Sequence, residues 1–262
     1  MNVSGLEITL REWLGAGPFA LGLSSGFFGF FAHAGLISAL EKEGLFPARV
    51  AGSSAGALVG TLWTARLSAR AISDRLLSLE RKEFWDPFPG PGLLRGRRFR
   101  RMLESLLPVR DFSDCRWPAA ISVLDVAARR VHVLDSGPLA PAIHASCAVP
   151  FLFHPVWIGG RAYLDGGVVD RHGLAGIPDG ARLLYHHLAS RSPWRRKNSP
   201  ALMLPERPET VSLVIEGLPR SGPFRLENGT RAYALARAAA RRALDEPIVD
   251  GVVRVTAEDC QL

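Results

Sequence analysis

The chain has 262 residues, 47% of them hydrophobic and 22% charged, with a formal net charge of +7. That balance excludes a disordered or collagen-like chain, and the length is enough for one sizeable α/β core. Lys42, Lys82 and Lys197 are the only lysines, so 29 of the 32 basic residues are arginine. A GC-rich coding bias gives such a preference, and so does an anionic partner: nucleic acid, a membrane surface or an acidic substrate.

In chain order, Phe19–Leu23 is a short apolar run that predicts a buried strand. The loop Ser24-Ser25-Gly26-Phe27-Phe28-Gly29 follows, and Phe30–Glu43 reads as a helix stopped by Gly44. Val50 and Ala51 end a second strand, Gly52–Gly56 is a turn, and Ala57–Arg66 is the next helix. Ser68 can N-cap a further helix to about Leu79. Residues 84–94, with Pro87, Pro89, Pro91, Phe84, Trp85 and Phe88, read as a loop or lid. A basic helix carrying Arg97, Arg98, Arg100 and Arg101 comes next. Residues 120–125 and 130–134 read as paired strands, and Pro138–Ala148 as a helix. Residues 156–158 and 162–164 are strands meeting at Gly159-Gly160. Residues 183–188 and 211–215 are further strands separated by a Pro/Arg/Ser-rich loop, 190–208, and Thr230–Leu244 is an Ala/Arg helix. This alternation predicts a parallel sheet covered by helices, with no linker dividing the chain.

The stretch from Leu14 to Leu40 contains no Asp, Glu, Lys or Arg. It is long enough to span a bilayer, which takes about 20 apolar residues. Its glycines, Pro18, Ser24, Ser25 and His33 argue instead for strand, loop and helix, since a loop in lipid leaves backbone groups unpaired. No basic n-region with a cleavage site precedes it. Cys115, Cys147 and Cys260 form no C-x-x-C pair, and the sparse count predicts a reducing, cytoplasmic setting.

Gly52-x-Ser54-x-Gly56 fits a nucleophile elbow, in which a serine sits on a sharp strand-to-helix turn and small neighbours avoid collision. The helix dipole behind it favours negative charge. A glycine loop such as Gly26-Phe27-Phe28-Gly29 can aim backbone amides at a developing oxyanion. It is not a phosphate-binding loop, because no Gly-Lys-Ser/Thr follows. Asp165-Gly166-Gly167, directly after Arg161–Leu164, places a carboxylate at a strand end, where it can orient or deprotonate a serine. The order Ser54, Asp165, His172 leaves a Ser–Asp–His triad open beside a two-residue arrangement. His132, His144 and His154 lack partners at metal-ligand spacing, so no metal site is expected.

Together these segments resemble the patatin-like phospholipase family, from about residue 19 to 170. The resemblance rests on the loop at 24–29, Ala32-His33-Ala34-Gly35, Gly52–Gly56, Ser146–Pro155 and Tyr163–Gly167. It implies a single three-layer α/β/α sandwich over 1–262 with a mostly parallel central sheet. It also implies a Ser54–Asp165 dyad, oxyanion amides from Gly26, Phe27, Phe28 and Gly29, and elbow glycines Gly52 and Gly56. The implied reaction is lipid acyl-ester hydrolysis of phospholipase A or lysophospholipase type through an acyl-serine, without metal or cofactor. Ser24, Ser25 and Phe28 depart from the family's usual glycines and Arg/Lys. That departure keeps a neutral-lipid or thioester hydrolase, an acyltransferase and a catalytically weak lipid-binding protein as alternatives. Arginines beside Phe84, Trp85 and Phe88, and Arg191, Arg195, Arg196 and Lys197 beside Trp194, fit peripheral contact with an anionic membrane. No zinc-finger, helix-turn-helix or RNA-binding signature accompanies them, so nucleic acid is not expected.

Overall fold

The computed structural model describes residues 8–188, 199 and 202–257. The helices are α1 (Leu10–Gly15), α2 (Phe30–Lys42), α3 (Ala55–Thr64), α4 (Ala69–Leu77), α5 (Arg97–Leu106), α6 (Leu139–Ser146) and α7 (Asn228–Ala243). The first strands are β1 (Ala20–Leu23), β2 (Arg49–Ser53), β3 (Gly92–Leu94), β4 (Ala119–Asp125), β5 (Arg130–Leu134) and β6 (Phe151–Phe153). They continue with β7 (Val156–Ile158), β8 (Arg161–Asp165), β9 (Leu183–His187), β10 (Thr210–Glu216) and β11 (Val252–Thr256).

Among the described residues the main sheet runs in the order β11-β10-β9-β1-β2-β4-β8-β7, with β5 also on β4. Strands β11 through β4 pair in parallel, while β5, β8 and β7 pair antiparallel. The expected α/β architecture with a mostly parallel sheet is therefore present. The helices join one core with the sheet residues Leu21, Leu23, Val50, Ile121, Leu184 and Leu213. The alternate residues Ala20, Ala51, Ala120, Leu183 and Tyr185 form a second cluster with Ile177, on the other face, because side chains alternate along a strand. Leu174, Ala181 and Leu204 pack against that face, so the chain around 174–181 covers it.

Several elements follow their local chemistry. Ser68 accepts from the Ala71 amide as N-cap of α4, and Gly44 leaves α2 with φ of 69°. Gly159 and Gly160, both at positive φ, turn β7 into β8. The uncharged Leu14–Leu40 stretch resolves into the end of α1, β1, a loop and most of α2, and no helix among the described residues is long and apolar enough to cross a membrane.

Four elements exceed the sequence expectation. Helix α1 starts at a Thr9/Glu12 capping box. Strand β11 was not expected, and β3 and β6 pair with each other in a separate two-stranded sheet. The 84–94 segment is tied down rather than loose. Asp86 accepts from the amides of Gly96 and Arg98, and the Arg98 side chain donates to the carbonyls of Lys82 and Trp85. The cluster Arg191, Arg195, Arg196, Lys197 with Trp194, and Cys260, lie outside the described residues.

Candidate active site

The register of β4 brings the two key segments together. Its residues 119–122 pair with β2, and 123–125 pair with β8. Residues 121–125 also pair with β5, so β2 and β8 must share the opposite edge. Strand β2 runs up that edge and stops at Ser53 beside Ser122, while β8 runs down it and stops at Asp165 beside Val123. The two strand ends therefore meet head to head, and Ser54 and Asp165 meet with them.

Ser54 links β2 to α3 with φ 52° and ψ −117°. Positive φ is uncommon for a residue with a Cβ and marks a held conformation. Gly56 has no room for a Cβ, which would overlap the Leu23 carbonyl, and one on Gly52 would meet the Gly56 and Ala57 backbone. The elbow glycines are thus required by close packing of α3 on β1 and β2. Ser54 is 9% exposed. Its hydroxyl donates to Asp165 Oδ2 at 2.7 Å, and Asp165 Oδ1 accepts from the Gly167 amide at 2.7 Å. Burial is the largest influence on Asp165 and raises its carboxyl to about 6, against the lowering effect of those two bonds. Gly166 is also obligatory, because a Cβ there would overlap the Ser122 carbonyl.

Residues to which the sequence assigns no role hold this frame. The buried Ser146 hydroxyl accepts from the Ser54 amide at 2.8 Å and donates to the Ser122 carbonyl at 2.8 Å. Asp170 accepts from the Ser122 hydroxyl and from the amides of Gly173 and Ala175. The Arg171 carbonyl accepts from the Ser25 amide at 2.7 Å. Ser146 opens one of the segments that carry the resemblance and Asp170 closes the matched stretch, but their bonds depend on the strand register and have no local signal.

The glycine loop is a turn closed by Gly29 N–H donating to the Gly26 carbonyl at 2.9 Å. That bond occupies the Gly29 amide. Among the described residues the amides of Gly26, Phe27 and Phe28 have no hydrogen-bond acceptor, so they are the donors left in this loop. The serines that replace glycines have structural partners. Ser24 Oγ accepts from the Leu188 amide, and Ser25 Oγ fills the space where Gly167 lacks a Cβ. Phe28, at φ 56°, packs on Phe27, Phe30 and Phe84.

His33, His186 and His172 make their bonds elsewhere. His33 Nε2 donates to the Ser24 carbonyl at 2.8 Å, which leaves its Nδ1 to accept from His186 Nδ1 at 2.9 Å. Burial lowers His33 to about 4 and His186 well below the usual range, so the pair is neutral at pH 7. His172 Nε2 bonds the Met203 carbonyl at 2.9 Å, and no histidine bonds Ser54 or Asp165. A cavity of about 730 Å³ beside β10 and β11, lined by Leu204, Ser212 and Arg254 among others, contains neither Ser54 nor Asp165. Among the described residues no three His, Cys, Asp or Glu side chains cluster as a metal site would require.

A family model for patatin-like phospholipases matches residues 21–175, more than half of the chain. The chain belongs to the patatin-like phospholipase family. An uncharacterized NTE family protein of Mycobacterium bovis is 31% identical over 170 residues, 60% of this chain and 45% of that protein. Lysophospholipase NTE1 of Scheffersomyces stipitis is 27% identical over 53% of this chain, which spans 9% of that protein. The chain thus spans less than half the length of either relative. The crystal structure of VipD from Legionella pneumophila superposes with a TM-score of 0.60 and 13% identity, over 91% of this chain and 61% of that one, which is a likeness of fold.

Proposed function

We propose that this chain is a serine hydrolase that cleaves acyl esters of lipids, of phospholipase A or lysophospholipase type, with Ser54 as nucleophile and Asp165 as base. The observation that carries this reading is the 2.7 Å bond from the Ser54 hydroxyl to the buried Asp165 carboxylate. Family membership and relatives named lysophospholipases support the substrate class. Asp165 Oδ2 takes the Ser54 proton as Oγ attacks the ester carbonyl. The resulting oxyanion faces the unused amides of the Gly26–Phe28 turn and the N-terminus of α3. Collapse passes the proton from Asp165 to the leaving alkoxide and leaves an acyl-Ser54. A water, deprotonated by the same carboxylate, then releases the fatty acid and restores Ser54. The setting that fits this reading is the cytoplasm, with peripheral contact to anionic membranes.

The test is a fluorophosphonate probe and a lipid panel applied to wild type, Ser54→Ala, Asp165→Asn and His172→Ala. Wild type and His172→Ala are expected to turn over alike. Ser54→Ala loses labelling and activity, and Asp165→Asn loses at least a hundredfold in kcat. Retained hydrolysis in Ser54→Ala would sink the reading.

A further inference from the structure

Phe151 is the most exposed large hydrophobic residue among those described. It is 89% exposed and held at φ 66°, a conformation a bulky side chain rarely adopts. A β-turn sets the angle, since the Val149 carbonyl accepts from the Leu152 and Phe153 amides and the position after Pro150 in such a turn takes positive φ, but nothing in the fold covers the ring. Its strand partner is Gly92, and it follows by three residues Ala148, whose carbonyl accepts from the Asp165 amide. Phe151 thus lies three residues along the chain from a backbone contact of the dyad.

Other exposed apolar residues lie on the segments that carry or adjoin the dyad and would frame its mouth. Val168 and Val169 directly follow Asp165-Gly166-Gly167, and Phe27 lies two residues from Ser25, which fills the space beside Gly167. Phe88 belongs to the β3 hairpin beside Phe151, its amide bonded to the Leu93 carbonyl. Phe224 meets Trp85 edge to face, and Trp85 is next in the chain to Phe84, which meets Phe28. Two outer rings carry an arginine. The Arg95 guanidinium lies 4.4 Å from the Phe88 ring and that of Arg81 lies 5.0 Å from the Phe224 ring. An apolar rim flanked by cations matches an acyl layer beneath anionic headgroups, since the rings can enter the chains while the guanidinium groups stay at the phosphate level.

We infer that the mouth docks on an anionic lipid surface through Phe151, Phe88 and Phe224, with Arg81 and Arg95 at the headgroups. This rests on the reading of Ser54–Asp165 as a lipid-ester site and specifies how substrate reaches it, directly from the bilayer. Phe151→Gly separates anchoring from folding, because glycine is at ease at positive φ and no packing is lost. The experiment measures flotation with phosphatidylcholine vesicles with and without phosphatidylglycerol, melting temperature, and hydrolysis of a soluble short-chain ester. Wild type should bind the anionic vesicles more tightly. Phe151→Gly should melt no lower, hydrolyse the soluble ester as wild type does, and bind anionic vesicles about tenfold more weakly, or less still when combined with Phe88→Ser. Equal vesicle binding by Phe151→Gly, or no vesicle binding by wild type, overturns the inference. A Phe151-dependent dimer in sedimentation without vesicle binding overturns it in favour of a second copy of the chain. If wild type hydrolyses no lipid yet binds vesicles through Phe151, the catalytic reading fails and the docking surface stands.

Discussion

A carboxylate beneath a buried serine is a charge taken out of water, and its cost can be read as a function of pH. Unfolded, Asp165 titrates near 3.8, whereas in the fold it titrates at about 6. The folded state therefore holds the proton more tightly between those values, and stability falls as pH rises through that window. The loss is about 3 kcal/mol above pH 6, from 1.36 kcal/mol per unit. Asp165→Asn removes the charge and is expected to melt several degrees above wild type at pH 8 but not at pH 4. Activity runs the other way, because only the ionised carboxylate can accept the Ser54 proton. kcat/KM for a soluble ester is expected to rise about tenfold per pH unit below 6 and level off above it. A pH–rate profile and paired melting curves check both signs. Ser146 poses the second question at this scale. It spans the Ser54 amide and the Ser122 carbonyl, so Ser146→Ala strands a buried donor, at about 1–3 kcal/mol. Ser54 then loses the contact that fixes its positive φ. kcat should drop at least tenfold while KM stays within twofold, and an unchanged kcat would show that the elbow glycines alone set the angle.

The elements explain why part of this site could be read in advance and part could not. Strand β1, α2, the elbow and the β7–β8 turn carry local signals: an apolar run, a terminating glycine, glycines at fixed offsets and a Gly-Gly pair. The meeting of β2 and β8 along one edge of β4 has no such signal, because pairing register is a long-range property. The triad alternative stayed open in the sequence for the same reason: chain order cannot say that His172 turns to Met203. Strands β3 and β6, of three residues each, are too short for a period to register. Helix α1 did carry its capping-box signal at Thr9 and Glu12. Close helix packing is similarly hidden. Gly35 of α2 faces α7, where a Cβ would lie 2.8 Å from the Arg237 amide nitrogen, the Tyr233 carbonyl oxygen and Ala236 Cβ. Gly35→Ala gains about 1 kcal/mol of helix propensity but forces two helices apart, which costs about 1–3 kcal/mol. Its melting temperature is expected to fall by about 2–4 °C. A rise would mean that α7 yields without cost.

At the scale of the whole molecule the arginine excess can be divided by position. Coding bias would scatter arginine over the surface without regard to the mouth, whereas binding requires it where the apolar rim is. Both populations are present. Arg237 and Arg241 are exposed on α7, beyond the end that meets the rim. Gly229 lies against the Phe31 ring, next to the loop, and Arg241 is twelve residues further along the helix, about 18 Å at 1.5 Å per residue. That exceeds a Debye length of about 10 Å at 0.1 M salt, so these charges are screened from a surface touching the mouth. Arg81 and Arg95 sit on the rim rings themselves. Replacing Arg237 and Arg241 with Gln should therefore leave affinity for anionic vesicles within twofold. Replacing Arg81 and Arg95 should lower it by about fivefold to thirtyfold, since each basic residue near such a surface contributes about 1 kcal/mol. The rim variant should also lose salt dependence, since the charges that salt screens have been removed. Equal losses in the two variants would make net charge, rather than its placement, the quantity that matters, and would return the arginine content to coding bias.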